Sequence, residues 1–286
     1  MKVCPECAAR FRSATWSCPS CSWRAPRDGA INIVTSAESV PGFTSSFFDA
    51  LPTLEERHFW FIGRNALIAW AVGRYFPLAR TFLEVGCGTA QVTGALQRAC
   101  PTLSFTASEA LREGLLLAER KAPGAELVQA DVQDLPWEEE FDIVGAFDVL
   151  EHIADDVGAA RQIARAVKPG GGVIVTVPQH PWLWSPLDDY SHHQRRYSRA
   201  ALVELLAQAG LRVDRVTSFV SVLFPVLIAS RLAQRGRPVD PHGEYRISGF
   251  ANWVGEKTMK VEGALIRGGV SFPVGGSLLA IARRAS

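Results

Sequence analysis

Four short apolar runs, each leading into an acidic residue, constrain this chain more than its composition does. The first, Thr81-Phe82-Leu83, passes directly into Glu84-Val85-Gly86-Cys87-Gly88-Thr89-Ala90 and then into a helical pattern. The second, Leu103 to Ala107, ends in Ser108-Glu109, and the third, Glu126 to Ala130, ends in Asp131-Val132. The fourth, Phe141 to Phe147, runs into Asp148-Val149-Leu150-Glu151-His152, and a fifth strand, Val173 to Val177, follows Lys168-Pro169-Gly170-Gly171-Gly172. Acid-tipped strands in this order converge on one edge of a sheet. The glycines behind the first strand let the backbone turn sharply and approach a nucleotide-like ligand. Glu109 lies about 20 residues further on, where a doubly wound fold places an acid for ribose hydroxyls.

From roughly His58 to Pro178 this ordered set resembles the class I S-adenosylmethionine-dependent methyltransferases of the type 11/12-like kind. The resemblance implies an α/β fold, a Rossmann-like seven-stranded mostly parallel sheet with helices on both faces. It implies S-adenosyl-L-methionine as cofactor, with Glu84, Gly86 and Gly88 at its amino-acid end, Glu109 at its ribose, and Asp131 with Val132 at its adenine. Phe147, closing the fourth strand, joins the same set. The third glycine of the usual motif is Ala90 here, small enough to permit close helix packing. Within His58-Phe59-Trp60-Phe61-Ile62-Gly63-Arg64, the arginine resembles one that approaches the methionine carboxylate; an aromatic packing face with a solvated Arg64 is the competing reading.

Cys4-x-x-Cys7 and Cys18-x-x-Cys21 form a double knuckle, a metal signature whose four thiolates can close a tetrahedron around Zn2+. So short a segment has too little core to fold without the metal. Met1-Lys2-Val3 runs straight into this motif rather than into an apolar leader, which makes the cytoplasm the expected compartment and disulfides the weaker reading. Cys87 and Cys100 read as packed small residues. A formal net charge of +1 gives no whole-protein attraction to nucleic acid or anionic membrane.

The expected organisation is a zinc ribbon over residues 1–30, a linker over 31–46 rich in Ser, Gly and Pro towards its end, and a methyltransferase domain over 47–286. Phe47 to Phe76 reads as helical, Arg199 to Ala209 as a helix capped by Ser198, and Leu211 to Ser218 and Ser277 to Arg283 as strands. Between those strands, 219–276 is an inserted apolar and helical segment. Its part 219–230 is too short to span a bilayer. It is expected to be buried or pocket-lining, with peripheral membrane contact as the other reading.

For chemistry, Asp148, Glu151 and His152 are spaced to share one helical face. His152 is a candidate general base, and the group resembles the acid-x-x-Glu-His element of ubiquinone-pathway O-methyltransferases, which implies a divalent ion at Asp148, Glu151 and His152. A purely local hydrogen-bonding role for the histidine is the competing reading. His180 is a further candidate in the loop Pro178 to Tyr197, the expected wall of an acceptor pocket. His192 and His193 are others, with Asp188 and Asp189 as their orienters. The expected activity is methyl transfer to an O or N of a small-molecule, glycan or lipid-linked acceptor. Two alternatives stand beside it: an rRNA or tRNA methyltransferase that docks RNA through the ribbon, and a non-enzymatic zinc-ribbon interaction protein. The ribbon's Lys2, Arg10, Arg12, Arg24 and Arg27 face only Glu6 and Asp28 in charge, and Val177-Pro178-Gln179-His180 lacks the Pro-Pro-aromatic run that stacks a nucleobase.

Overall fold

The computed structural model describes residues 1–35, 55–234 and 247–285. The expected linker beyond Thr35, the first part of the expected helix from Phe47, and Arg235 and Arg237 lie outside them. In chain order the described strands are β1 (Lys2–Val3), β2 (Arg10–Phe11), β3 (Arg27–Asp28), β4 (Ile31–Ile33), β5 (Thr81–Val85), β6 (Ser104–Glu109), β7 (Glu126–Gln129), β8 (Phe141–Phe147), β9 (Val167–Pro178), β10 (Leu211–Phe219) and β11 (Ser277–Arg284). The helices are α1 (Phe59–Tyr75), α2 (Gln91–Ala99), α3 (Arg112–Lys121), α4 (Asp156–Ala166), α5 (Pro186–Tyr190), α6 (Arg199–Gln208), α7 (Phe224–Gln234) and α8 (Gly249–Arg267).

The main sheet has the order β10-β11-β9-β8-β5-β6-β7-β4-β3. β5 to β9 run parallel, and β11 is antiparallel to both β9 and β10. The central strands are buried along most of their length because both faces are covered. Along β9, Val173, Val175 and Val177 pack towards α4 and α6, whereas Ile174 packs towards α1. β11 splits in the same way, Leu278, Ala280 and Ala282 to one face and Leu279 and Ile281 to the other. This period of two places Phe82 and Glu84 on the α1–α2 face of β5 and Leu83 and Val85 on the opposite face.

Two boundaries differ from the sequence expectation. The sheet has nine strands, not seven, because residues 27–33 add β3 and β4 to the edge beyond β7. Ile31–Ile33, expected in a linker, pair in parallel with Leu127–Gln129. Strands of two and three residues carry no readable periodicity, so nothing in their sequence marks them. The inserted apolar run is divided: Phe219, Val220 and Phe224 are buried and Ile228 on α7 lines a small pocket with Trp182 and Leu183, as expected, whereas Val222, ahead of α7, and Val226, on it, are exposed. α8 docks instead, and two glycines set how closely: a Cβ on Gly63 would stand 2.6 Å from Met259 Cε, and one on Gly255 2.6 Å from the Phe59 ring.

Candidate cofactor and acceptor site

The turn after β5 holds three residues with left-handed backbone, Gly86 (φ 62°), Gly88 (φ 53°) and Ala90 (φ 58°). A side chain on Gly86 would also strike Val149, with Cγ2 only 2.7 Å from the Cβ position. Glu109, at the end of β6, reaches this turn: its Oε2 accepts the Gly88 amide at 2.8 Å and its Oε1 the Leu111 amide at 3.1 Å. Burial, with the Asp131 charge adding to it, raises the Glu109 pKa. Glu84 is fully buried and its Oε2 accepts both the amide (2.8 Å) and the hydroxyl of Thr93 on α2. Burial pushes its pKa up to about 7. Asp131 caps the short 3-10 turn Val132–Asp134, its Oδ1 accepting the Gln133 amide at 2.9 Å, and Val132 is buried beneath. Phe147 is buried and its ring fills the space a Cβ on Gly145 would need.

The approach from the N-terminal side is closed by a latch that no short-range pattern announces. The Glu55 carboxylate accepts the Thr89 hydroxyl at 2.6 Å and pairs with Lys121 on α3, while Gln91 Nε2 donates to the Glu55 carbonyl at 3.0 Å. Arg64 is buried rather than solvated. Its guanidinium lies 4.5 Å from the Trp60 ring centroid and pairs with Asp148 Oδ2, which also accepts the Thr176 hydroxyl at 3.1 Å. Asp148 itself has φ 58°.

That pairing alters the expected ligand group. Asp148 turns to Arg64, and the side chain that joins Glu151 and His152 is His193, with candidate ligand atoms of the three all within 4.8 Å of one another. The His152 and His193 rings meet edge to face at 4.7 Å. His193 Nδ1 is 2.8 Å from Asp188 Oδ1, and the same carboxylate takes Nε (2.7 Å) and Nη2 (3.0 Å) of Arg196 and the Ser185 amide (2.8 Å). Asp188 is buried, and His193 and Arg196 hold its carboxyl well below the usual range. Burial drives His152 down to about 3, so its imidazole is neutral at physiological pH. The Asp189 carboxylate accepts from Trp184 Nε1 at 2.9 Å. His180 is apart from this group: with φ 66°, its ring packs against Trp182 and Phe224 at 5.2 and 5.0 Å. Glu151 Oε2, Gln179 Oε1 and His180 Nε2 are buried with no hydrogen-bond partner among the described residues.

At the other end of the sheet the four N-terminal cysteines converge. Cys4 Sγ lies 3.6 Å from Cys21 Sγ and Cys7 Sγ 3.7 Å from Cys18 Sγ. A tetrahedron of metal–sulfur bonds of about 2.3 Å has edges of about 3.8 Å, so the spacing fits a tetrathiolate centre. Each knuckle closes on a left-handed residue, Ala8 (φ 57°) and Ser22 (φ 63°), and the amides of both donate to the carbonyl of the knuckle's first cysteine. Cys4, Phe11, Trp16 and Cys18 share one apolar core with Val132, Leu135 and Trp137 of the main domain.

Residues 83–175 match the family model described as a methyltransferase domain. A probable S-adenosylmethionine-dependent methyltransferase of Mycobacterium tuberculosis, Rv3030, is 27% identical over 165 residues, 56% of this chain and 58% of that protein. A ubiquinone biosynthesis O-methyltransferase of Hydrogenovibrio crunogenus is 32% identical over 101 residues, 33% of this chain and 41% of that protein. The chain thus spans well under two thirds of the length of these relatives. Among solved structures, a chain from the complex between the Haloferax volcanii Trm112 methyltransferase activator and the putative methyltransferase is similar, with TM-score 0.56 and 20% identity over 87% of this chain and 98% of that one. Residues 83–175 are thus similar to a methyltransferase domain, and the solved structure shares the α/β fold.

Proposed function

We propose that the chain transfers the methyl group of S-adenosyl-L-methionine to an O or N of a small-molecule or lipid-linked acceptor, with Zn2+ held in the ribbon by Cys4, Cys7, Cys18 and Cys21. The observation that carries this reading is Glu109 seated on the Gly88 amide, in a turn bounded by two left-handed glycines at the carboxyl edge of the parallel strands. When bound, the cofactor supplies an electrophilic methyl on a sulfonium. Glu109 would accept from its ribose hydroxyls, Asp131 and Val132 would flank its adenine, and Gly86, Gly88, Phe147 and Arg64 would shape the amino-acid end. Glu84 acts there through Thr93, fixing the start of α2.

The acceptor side is read from Glu151, His152 and His193, with His180 across the loop. Burial disfavours the protonated form of His152, so its role as base would need the bound acceptor to raise its pKa, and Asp188 orients His193 beside it. The unpaired buried acceptor atoms of Glu151 and Gln179 would meet hydroxyl or amino donors of the acceptor. The same Glu151, His152 and His193 atoms are close enough together to seat a divalent ion, with His193 standing where the sequence pattern put Asp148. Exposed Val222 ahead of α7, Val226 on it and Trp182 beside it would suit the tail of a lipid-linked acceptor or a membrane surface. Among the described residues no helix is long and apolar enough to cross a membrane.

Calorimetric titration with S-adenosylhomocysteine tests the reading. Wild type binds one equivalent and Glu109→Ala weakens binding by about tenfold or more, as expected for loss of a carboxylate that accepts two hydroxyls. No binding by wild type overturns it in favour of a non-enzymatic interaction protein. The RNA alternative is tested by reversing charge at exposed Arg12 and Arg24 and measuring salt-dependent RNA binding. Deleting the ribbon would not serve, because its aromatic side chains are part of the domain core.

A further inference from the structure

The ribbon grips one segment of the main domain, residues 126–137, from both ends. At the start, Trp16 Nε1 and Lys2 Nζ donate to Glu126 Oε1 at 2.9 and 3.2 Å. At the end, the Val3 amide donates to the Pro136 carbonyl at 2.9 Å and Trp16 packs edge to face on Trp137 at 5.5 Å. Between these anchors β4 lies along β7, and the chain leaves it at Thr35. The amides of Val34 and Thr35 both donate to the Gln129 carbonyl, at 3.1 and 3.2 Å. Thr35 Oγ1 then accepts the Asp131 amide at 3.1 Å and donates to the Asp134 carbonyl at 3.4 Å. One hydroxyl therefore spans the first and last residues of the turn Asp131–Asp134.

We propose that the cysteine ribbon is a clamp in cis on this turn, with Thr35 as the positioning residue, so that filling of the Cys4–Cys7–Cys18–Cys21 centre sets the affinity of the adenine side of the pocket. The inference rests on the cofactor reading above. Its physical basis is that a three-residue strand, flanked on its outer side only by the two-residue β3, has little stability of its own. β4 keeps its register only because β3 and the ribbon before it are held, and a ribbon of this size is held by its metal. The core residues that close the ribbon also underlie the turn, since Cys4 and Cys18 share packing with Val132 and Leu135. Loosening the thiolate centre thus frees Thr35 and the floor beneath Asp131 together.

The test uses the full chain with zinc bound, the same chain stripped by a thiol-competent chelator, and the zinc-loaded variants Thr35→Val and Thr35→Ser. S-adenosylhomocysteine affinity and amide hydrogen exchange are read for each. Thr35→Val is expected to weaken S-adenosylhomocysteine by about tenfold, the equivalent of about 1.4 kcal/mol, with Thr35→Ser close to wild type. Zinc removal is expected to weaken it at least as much and to accelerate exchange in 126–137 while leaving β11 protected. Equal affinity and equal exchange in Thr35→Val and wild type overturn the proposal, even if the stripped chain unfolds. If wild type binds no S-adenosylhomocysteine, the cofactor reading fails by itself. Exchange in 126–137 then decides the clamp: acceleration on zinc loss and in Thr35→Val supports it, and none overturns it.

Discussion

Asp148 faces Arg64, not the Glu-His pair that follows it in sequence. Its left-handed backbone (φ 58°) swings the carboxylate towards α1, where Oδ2 takes both the Arg64 guanidinium and the Thr176 hydroxyl. Side chains three and four apart share a face only if the backbone between them is helical, and here helical geometry begins only at Leu150. The buried arginine and its partner tie α1 to the end of β8.

Breaking that tie is expected to be costly on either side. Arg64→Ala leaves a carboxylate beside an apolar helix face, and Asp148→Ala leaves a buried guanidinium, each lowering stability by about 3 kcal/mol. The double variant is expected to lose less than the sum, with a coupling of at least about 1 kcal/mol in urea unfolding. Strict additivity would show that the pair does not interact in solution.

The glycine turn offers a contrast in sign. Ala90 has φ 58°, where an L side chain costs about 1 to 2 kcal/mol, partly offset in glycine by chain entropy of about 0.5 to 1 kcal/mol. Ala90→Gly is therefore expected to stabilise the protein by about 0.5 to 1 kcal/mol. Gly86→Ala must lose stability by more than that, because the added Cβ meets Val149 as well as the unfavourable φ. Thermal unfolding of the two variants checks both directions.

How much of this was legible in the sequence depended on range. The cysteine knuckles, the glycine turn, and the helix Arg199–Gln208 under its Ser198 cap are local patterns, and each stands close to where the residues alone put it. The succession of β5 to β9 along the chain followed from the acid-tipped runs. What escaped were contacts between distant segments: Glu55 on Thr89, Thr35 on Asp131, and His193 beside Glu151. His193 was legible as one of two adjacent loop histidines with Asp188 among their expected orienters, and that pairing is present; what did not show was its place beside Glu151 and His152. The apolar run after β10 suggested a buried or pocket-lining segment by composition; Phe219, Val220 and Phe224 are buried and Ile228 lines a pocket with Trp182, while Val222 and Val226 are exposed.

The loop that carries His193 is held by one buried carboxylate. Asp188→Asn keeps the volume but removes the charge opposite Arg196, and Asp188→Ala also strands the Ser185 amide. A loss of about 3 to 5 kcal/mol is expected for Ala, since Arg196 is left buried and unpaired. Adding Arg196→Met to Asp188→Ala should restore part of it. Circular dichroism melts compare them, and no recovery in the double variant would show that Arg196 is not the group stranded.

Glu84 makes stability depend on pH in an unusual direction for a carboxylate. Its folded pKa is about 7 against an ordinary value of 4.5, so the native state holds a proton that the unfolded chain has released across that window. The stabilisation from this group is complete below the unfolded pKa and is lost as pH rises through about 7, with an upper limit on the order of 3 kcal/mol from a shift of this size. Glu84→Gln keeps an acceptor for the Thr93 amide and hydroxyl but cannot ionise. In urea unfolding between pH 5 and 8, wild type is expected to weaken relative to Glu84→Gln as pH rises, and the two curves should run parallel above about pH 8. A stability difference that stays constant from pH 5 to 8 would mean that the Glu84 carboxyl keeps its ordinary acidity, and that burial beside α2 is compensated by solvent or by the Thr93 contacts.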